Sequence, residues 1–335
     1  MKIAVLFGGN SMERDVSVAS AAQVVAALRE RGHEVIAVDS HRGRLTHAQE
    51  RELLAGRIDR LPPALAETPG VPALAATADL RDVDLVFLAM HGGTGENGTI
   101  QAVLDLAGVP YTGSGVLGSA IGMDKEVSKR LFVSAGVPTP PWLVAPVTAK
   151  QVEAELGFPV IVKPNAQGST VGLTLVQDPS GLDAAIELAA RFDDRVLLER
   201  YVPGRELTVG VLDDEPLAVG EIIPAEGPIF DYTAKYQAGG AQEIFPADVP
   251  PAIAERAREL ALRVHRALKL DCYSRADFRL DENGELWCLE VNTLPGLTSG
   301  SLLPRSARAM GIEFPELCER ICRAALARAA KRRTG

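Results

Sequence analysis

Short apolar runs that break into glycine-rich turns recur along the first third of the chain. "KIAVLFGG" is such a run, "SVASAAQVVAALRERG" after it is a helical pattern closed by Gly32, and "HEVIAVDS" is a second strand. "DVDLVFLAMHGG" repeats the passage from apolar strand into Gly-rich loop, and "GTIQAVLDLAG" supplies the helix that follows. Strand, helix and strand in that order require right-handed crossovers, hence a parallel α/β sheet over residues 1–113 with ligands beyond the strand C-termini. Residues 42–79 are rich in Ala, Pro and Leu, hold no clear period, and receive no role.

The pattern changes at "MDKEVSKRLFVSAGVPTPPW", an amphipathic helix followed by a linker that Pro138, Pro140 and Pro141 punctuate. Strand signals then crowd together in "FPVIVKP", "VGLTLV", "RVLLERYV", "ELTVGVL" and "LAVGEIIP", with helical "PSGLDAAIELAARF" among them, so this part reads as mixed α+β. "PAEGPIFDYTAKYQAGGAQEIFPADVP" is too long and turn-rich for an ordinary connection, and a lid is expected at about residues 224–246. A helix, "PPAIAERARELALRVHRALK", precedes a last pair of strands.

Length changes the picture first: 335 residues exceed one ordinary core, at ~100–200 residues per domain. The divisions expected are 1–113, 114–199 and 200–335. A composition of 47% hydrophobic and 24% charged residues describes a globular chain, and a net charge of -9 argues against nucleic acid or an anionic membrane as partner. The opening "KIAVLFGG" is too short for a signal sequence, and no run of ~18 apolar residues occurs, so a cytoplasmic protein is expected. Four cysteines are too few for a disulfide scaffold; Cys318 and Cys322, on one helix face in "CERIC", read as small buried thiols.

Candidate chemistry begins at the final strands. "SRADFRLDENGELWCLEVN" reads as a hairpin turning at Asn283-Gly284. A two-residue turn pairs Glu282 with Glu285 and sets Asp277 opposite Glu290; a four-residue loop pairs Leu280 with Glu285 and sets Arg275 opposite Glu290. In both, odd positions of the first strand face even positions of the second, so Arg275, Asp277, Glu290 and Asn292 share one face. Two carboxylates and an amide supply oxygen only, the chemistry that Mg²⁺ accepts. Taken alone, the hairpin equally suits a solvated face with an Arg–Glu pair.

Lysines tip the balance. Of 35 basic residues only eight are lysine, and Lys125, Lys163 and Lys235 stand beside strand ends or Gly-rich loops, where an ammonium can clamp phosphate. After Lys163, "NAQGSTVG" offers Gly168, Ser169, Thr170 and Gly172, a loop whose backbone N–H groups suit phosphate oxygens. "ERYVPGRE" then places Glu199 and Glu206 at a spacing that reaches the base and ribose of one nucleotide.

A lysine strand, a Gly/Ser flap, E-x4-G-x-E and a final D…E-x-N together resemble the ATP-grasp superfamily. Within it, "GGNSMERDVS", "AMHGGTGENGTIQ", "PYTGSGVLGSAIGMDK", "FDYTAKY" and "EVNTLPGLTSGSL" resemble the D-alanine:D-alanine ligase family, from Gly8 to Leu302 and in the family's order. The fold implied combines α/β and α+β parts: an ATP-grasp fold behind an N-terminal parallel, Rossmann-like domain. In that family ATP phosphorylates the carboxylate of one D-alanine, and the amine of a second attacks the acyl phosphate, for peptidoglycan precursor synthesis. Catalysis of this kind is mainly positioning and charge stabilisation.

By motif match the resemblance implies that Asp277, Glu290 and Asn292 hold two Mg²⁺ ions, with Mn²⁺ able to substitute. Lys125, Lys163, Gly168, Ser169 and Thr170 would contact ATP phosphates and adenine, Glu199 and Glu206 would accept from the adenine amino group and the ribose, and Arg200 to Val202 would form the hinge. Glu13 would anchor the first substrate's ammonium, with Ser11 and Val16 in the same loop and His91 a polar contact beside it. Gly296 with Arg275 would form the oxyanion hole, Ser301 and Leu302 the clamp on the second carboxylate, and Lys235 would meet the transferred phosphate. Tyr236 and Ser169 would link the lid to Glu13. The implied partners are ATP and D-alanine, neither nucleic acid nor membrane, and a second copy in a homodimer.

One departure from the family pattern is Phe230 where many members carry the first lid tyrosine, although Tyr232 remains; a hydroxyl is lost there. Leu294 in "NTLPG" is a tolerated change. The G-x-G-x-x-G match of "GSGVLG", Gly113 to Gly118, points to no dehydrogenase, because no strand of adequate length precedes it and no strand-ending acid follows. A catalytically silent nucleotide-binding regulator would have a broken metal set, whereas Asp277, Glu290 and Asn292 are intact. A sister ligase joining D-alanine to D-lactate, D-serine or another amino acid is the rival reading; Tyr236 keeps the lid neutral and favours D-alanine as acceptor.

Overall fold

The computed structural model describes residues 1–9, 11–55, 80, 82–225 and 240–334. The expected lid residues Phe230, Tyr232, Lys235 and Tyr236 lie outside the described residues, as does most of the stretch 42–79.

Three sheets organise the chain. The first has the order β3-β2-β1-β4, from β1 (Lys2–Phe7), β2 (Glu34–Asp39), β3 (Gly43–Arg44) and β4 (Leu85–Leu88). β1 pairs in parallel with both β2 and β4, as crossover connections demand, and the two-residue β3 closes the edge antiparallel to β2. Its strands are near-continuous apolar runs because both faces are covered. One cover is the helix Arg14–Glu30, which buries Val18, Ala21, Val24, Val25 and Leu28 at helical spacing. Another comes from the far end of the chain: the helix Phe314–Thr334 buries Leu317, Cys318, Ile321, Cys322 and Ala325 in the same core.

The second sheet, β5-β8-β6-β7, comprises β5 (Trp142–Val144), β6 (Val160–Pro164), β7 (Thr174–Val176) and β8 (Val196–Arg200) and is antiparallel throughout. The helices Ala149–Glu155 and Leu182–Ala190 cover it. β5 begins where sequence periodicity shows only a proline linker; three residues are too few to set a period, and it forms by pairing with β8.

The third sheet has the order β11-β10-β9-β12-β13, from β9 (Arg205–Leu212), β10 (Glu215–Pro224), β11 (Ala241–Ile244), β12 (Tyr273–Leu280) and β13 (Leu286–Asn292). Asp213 and Asp214, both at positive φ, make the tight turn between β9 and β10. The two-residue period divides its central strands cleanly. Leu207, Val209, Val211, Ala276 and Phe278 face the helix Pro251–Ala267, whereas Glu206, Thr208, Arg275, Asp277 and Arg279 face the other way.

The hairpin β12–β13 brings Asp277 opposite Glu290 and Arg275 opposite Asn292, the pairing expected of the two-residue turn, but it is reached by a different route. Leu280 pairs with Leu286, so near the turn even positions face even ones. A bulge between Asp277 and Phe278 on one strand, Cys288 and Glu290 on the other, shifts the register by one and restores the shared polar face. Among the described residues no helix is long and apolar enough to cross a membrane.

Candidate active site

Two adjoining cavities lie between the sheets. The first is lined by Lys163, Glu199, Arg200, Tyr201, Val202 and Glu206 together with Thr170, Asp277 and Arg279. The second is lined by Glu13, Val16, His91, Glu96, Ser169, Asn292, Gly296 and Ser301. They share a wall made by Lys125, Gln167, Gly168, Arg275, Glu290 and Leu302. Of the described residues named above as candidate contacts, all but Ser11 and Gly172 border one cavity or both.

The first cavity sits where β8 passes to β9. Lys163, the penultimate residue of β6, donates to Glu199 Oε1 of the neighbouring β8 at 2.6 Å. Lys129, four residues after Lys125 on the helix Lys125–Ser134, donates to Glu199 Oε2 at 3.0 Å. Burial works to raise the pKa of Glu199, but the two ammonium groups outweigh it and hold the carboxyl below its ordinary value. The connection to β9 is fixed by Arg279, whose guanidinium donates to the carbonyls of Val202 at 3.0 Å and Gly204 at 2.8 Å. Gly204 is obligatory there: at φ +129 its Cβ would stand 2.1 Å from the Leu280 carbonyl oxygen. Arg279 also reaches Glu206 at 3.4 Å, its cross-strand partner.

Charge is dense along the shared wall. Asp277 accepts from Arg275 at 2.9 and 2.7 Å, from Thr208 Oγ1 at 2.7 Å and from Asn292 Nδ2 at 3.0 Å. Glu290 lies 3.2 Å from Lys125 Nζ, which also donates to the Gln167 carbonyl at 2.7 Å. Among the described residues no three His, Cys, Asp or Glu side chains are grouped so that they alone could hold a metal ion. Two opposed carboxylates and an amide nevertheless fit a Mg²⁺ ion that takes its remaining oxygens from a nucleotide and water.

The flap between β6 and β7 forms the roof of both cavities. Ser169 and Thr170 both have positive φ, 52° and 63°, a conformation that non-glycine residues adopt only under constraint. Ser169 Oγ donates to Glu13 Oε1 at 2.5 Å, across 156 residues of sequence. Glu13 stands at the N-cap of the helix Arg14–Glu30, yet its carboxylate makes no cap bond and turns to the cavity instead. A Cβ at Gly92 would come within 2.7 Å of Glu13 Oε2, so the loop after β4 can approach only as glycine.

His91 is buried at that loop. Its Nδ1 lies 2.9 Å from the Leu294 carbonyl, which can only accept, so Nδ1 carries the proton. Nε2 lies 3.0 Å from Ser20 Oγ, which itself accepts from the Leu297 amide at 3.3 Å. Through these two contacts the histidine fastens the first sheet to the loop around Gly296.

Glu96 does the same work, and sequence reading assigned it nothing although "GGTGENG" was on view. Its carboxylate accepts from the Gly92 amide and the Leu294 amide, each at 3.0 Å. Burial, and then the nearby negative charge of Glu13, raise its pKa. Lys129 and Arg279 were missed as well. The i, i+4 spacing of Lys125 and Lys129 was the available signal for the first; for Arg279 it was the alternation Arg275, Asp277, Arg279.

A cleft between two antiparallel sheets, walled by lysines and by opposed carboxylates, behind a parallel α/β unit, defines an enzyme of the ATP-grasp class. Residues 2–114 match the family model described as D-ala D-ala ligase N-terminus, and residues 131–323 match D-ala D-ala ligase C-terminus. The chain belongs to the D-alanine–D-alanine ligase family. It is 43% identical to the D-alanine–D-alanine ligase of Citrifermentans bemidjiense over 97% of this chain and 96% of that one. It is 42% identical to that of Gluconobacter oxydans over 98% and 100%. The solved structure of the Bacillus anthracis D-alanine–D-alanine ligase complexed with ATP superposes with a TM-score of 0.80 at 29% identity, covering 99% of each chain.

Proposed function

We propose that this chain joins two D-alanine molecules to D-alanyl-D-alanine at the expense of ATP, supplying a peptidoglycan precursor. The observation that carries this reading is the wall common to the two cavities: Lys125, Arg275 and Glu290 border both, so that a nucleotide on one side would meet an amino acid on the other there.

In this reading the adenine and ribose contact Glu199, Arg200 to Val202 and Glu206, and the phosphates lie under the flap Gly168, Ser169 and Thr170, between Lys163 and Lys125. Asp277, Glu290 and Asn292 would hold Mg²⁺, which when bound draws charge off the β- and γ-phosphates. Glu13, oriented by Ser169, takes the ammonium of the first D-alanine, and a carboxylate oxygen of that D-alanine attacks the γ-phosphorus, displacing ADP. The amine of the second D-alanine, held through its carboxylate by Ser301 and Leu302, adds to the acyl phosphate carbonyl. Arg275 and the Gly296 amide stabilise the resulting oxyanion, and collapse expels phosphate and leaves the peptide bond. For Lys235 and Tyr236, which lie outside the described residues, the roles are those that family likeness implies. His91 positions loops rather than moving a proton, since both its nitrogens are engaged.

Two further assignments rest on family likeness: a homodimer, to be checked by sedimentation, and a cytoplasmic location, with which four free thiols accord. The decisive assay is phosphate release from ATP and Mg²⁺ with D-alanine alone, compared with L-alanine, with D-lactate plus D-alanine, and with no amino acid. Release with D-alanine alone, together with the dipeptide mass, is the expected result. Release confined to a mixed pair would replace the acceptor and keep the ATP-grasp chemistry.

A further inference from the structure

A lysine taken wholly out of water is costly unless something requires its charge. Lys129 is 0% exposed and lines neither cavity. Its ammonium is held by Thr139 Oγ1 at 2.7 Å and Glu199 Oε2 at 3.0 Å, and it lies 5.3 Å from the centre of the Trp142 ring. Thr139 is itself pinned, donating to the Cys288 carbonyl at 2.8 Å. The lysine therefore has a fixed place behind the cavity wall.

Glu199 is 3% exposed and borders the first cavity. Its two oxygens are gripped from opposite sides, by Lys163 from the cavity and by Lys129 from behind. Lys163 also borders the cavity and is within reach of a bound nucleotide, so its bond to Glu199 can be exchanged. The bond from Lys129 cannot, because nothing in the cavity reaches it. We propose that Lys129 is a positioning residue for base recognition: it keeps Glu199 a fixed, charged acceptor, so that the cavity selects a purine carrying an exocyclic amino group over one carrying a carbonyl there.

This rests on the reading of Glu199 as the acceptor for the adenine amino group. A carboxylate can only accept; facing the carbonyl of hypoxanthine it meets a second acceptor and is left buried against it. Without Lys129, the burial of Glu199 would be offset by one movable ammonium, and the carboxyl would take up a proton that turns it into a donor for that carbonyl. A lysine serving only as structural ballast in an ion pair would affect stability and leave the choice of base alone.

The test is calorimetric binding of ADP and of inosine diphosphate to the full chain, which requires no amino-acid turnover. Wild-type protein is expected to prefer ADP by about 100-fold or more, since a site built for one polar group rejects its complement strongly. Lys129→Met should reduce that ratio at least about tenfold, chiefly by weakening ADP, as expected for loss of a charge-assisted contact. In a Glu199→Gln background the same substitution should change the ratio by less than about twofold, because a residue acting through Glu199 has nothing left to act on. If Lys129→Met fails to fold, Thr139→Val keeps the charge and frees it, and should lower the ratio about threefold on the same hydrogen-bond scale.

Equal weakening of both nucleotides, an unchanged ratio, or an undiminished effect in the Glu199→Gln background would overturn the proposal. Wild-type protein that binds both nucleotides alike would remove the base reading of Glu199 and this inference with it. Selective ADP binding without D-alanine turnover would instead remove the ligase reading and leave the role of Lys129 standing.

Discussion

Asp277 illustrates how much one side chain is asked to hold: it receives Arg275, Thr208 and Asn292, while its cross-strand neighbour Glu290 is paired with Lys125. Both carboxylates are thus balanced by cations within the protein, and Glu290 is the more accessible, its side chain 25% exposed. Glu290→Gln should consequently leave the fold intact, with thermal unfolding shifted by a few degrees at most, because the amide is isosteric. Turnover should fall by about 100-fold or more, since the charge proposed to ligate the metal is removed. Phosphate release measured over a Mg²⁺ titration checks this; wild-type rates at an unchanged Mg²⁺ requirement would refute the metal assignment. At this scale Glu13, Lys163, Glu199, Glu206 and the pair Asp277 and Glu290 were legible in the sequence because each lies in a short motif. Glu96 and Lys129 were not, because their partners, at Leu294 and Glu199, are remote in sequence and a lone acid or lysine carries no period.

The helix Pro251–Ala267 shows what an element adds. Proline at its start and Ala257, Leu260, Ala261 and Val264 on one face make it amphipathic, and it packs on the apolar side of the third sheet. Its last turn carries His265, buried and 2.7 Å from Ser274 Oγ of β12. Burial lowers the pKa of His265 from 6.5 to about 4. The unfolded chain therefore binds a proton that the folded one refuses, and the stability tied to His265 is complete above pH 6.5 and is lost as pH falls toward 4. The loss between pH 7 and pH 4.5 should be about 2–3 kcal/mol. Urea unfolding at the two values should show it, and His265→Gln should have a shallower slope; equal slopes would place the acid sensitivity elsewhere. Helices and parallel strands of this length announce themselves by period. The hairpin β12–β13 does not, because its polar face depends on a bulge that no alternation of residue types records.

At the scale of the whole molecule, the last helix returns to the first sheet. Ile321 is 0% exposed in the N-terminal core, and Arg328 stacks 4.4 Å from the Tyr111 ring and donates to the carbonyls of Tyr111 and Gly113. Ile321→Ala should cost about 2–5 kcal/mol, as truncation of a buried aliphatic side chain does. ATP affinity should remain near wild type, because the helix touches neither cavity. Denaturant unfolding with parallel nucleotide titration separates the two; a matching loss of affinity would mean that the helix governs the cleft as well. The amino-acid sequence by itself determined the parallel α/β opening, the α+β remainder, the acidic net charge, and the family, because local periodicity, composition and contiguous motifs encode them. Only the tertiary structure decided that the two cavities share one wall, that Glu13 meets Ser169 across 156 residues, and that Lys129 stands behind Glu199. Such contacts depend on how three sheets pack against one another, and no stretch of sequence contains both partners.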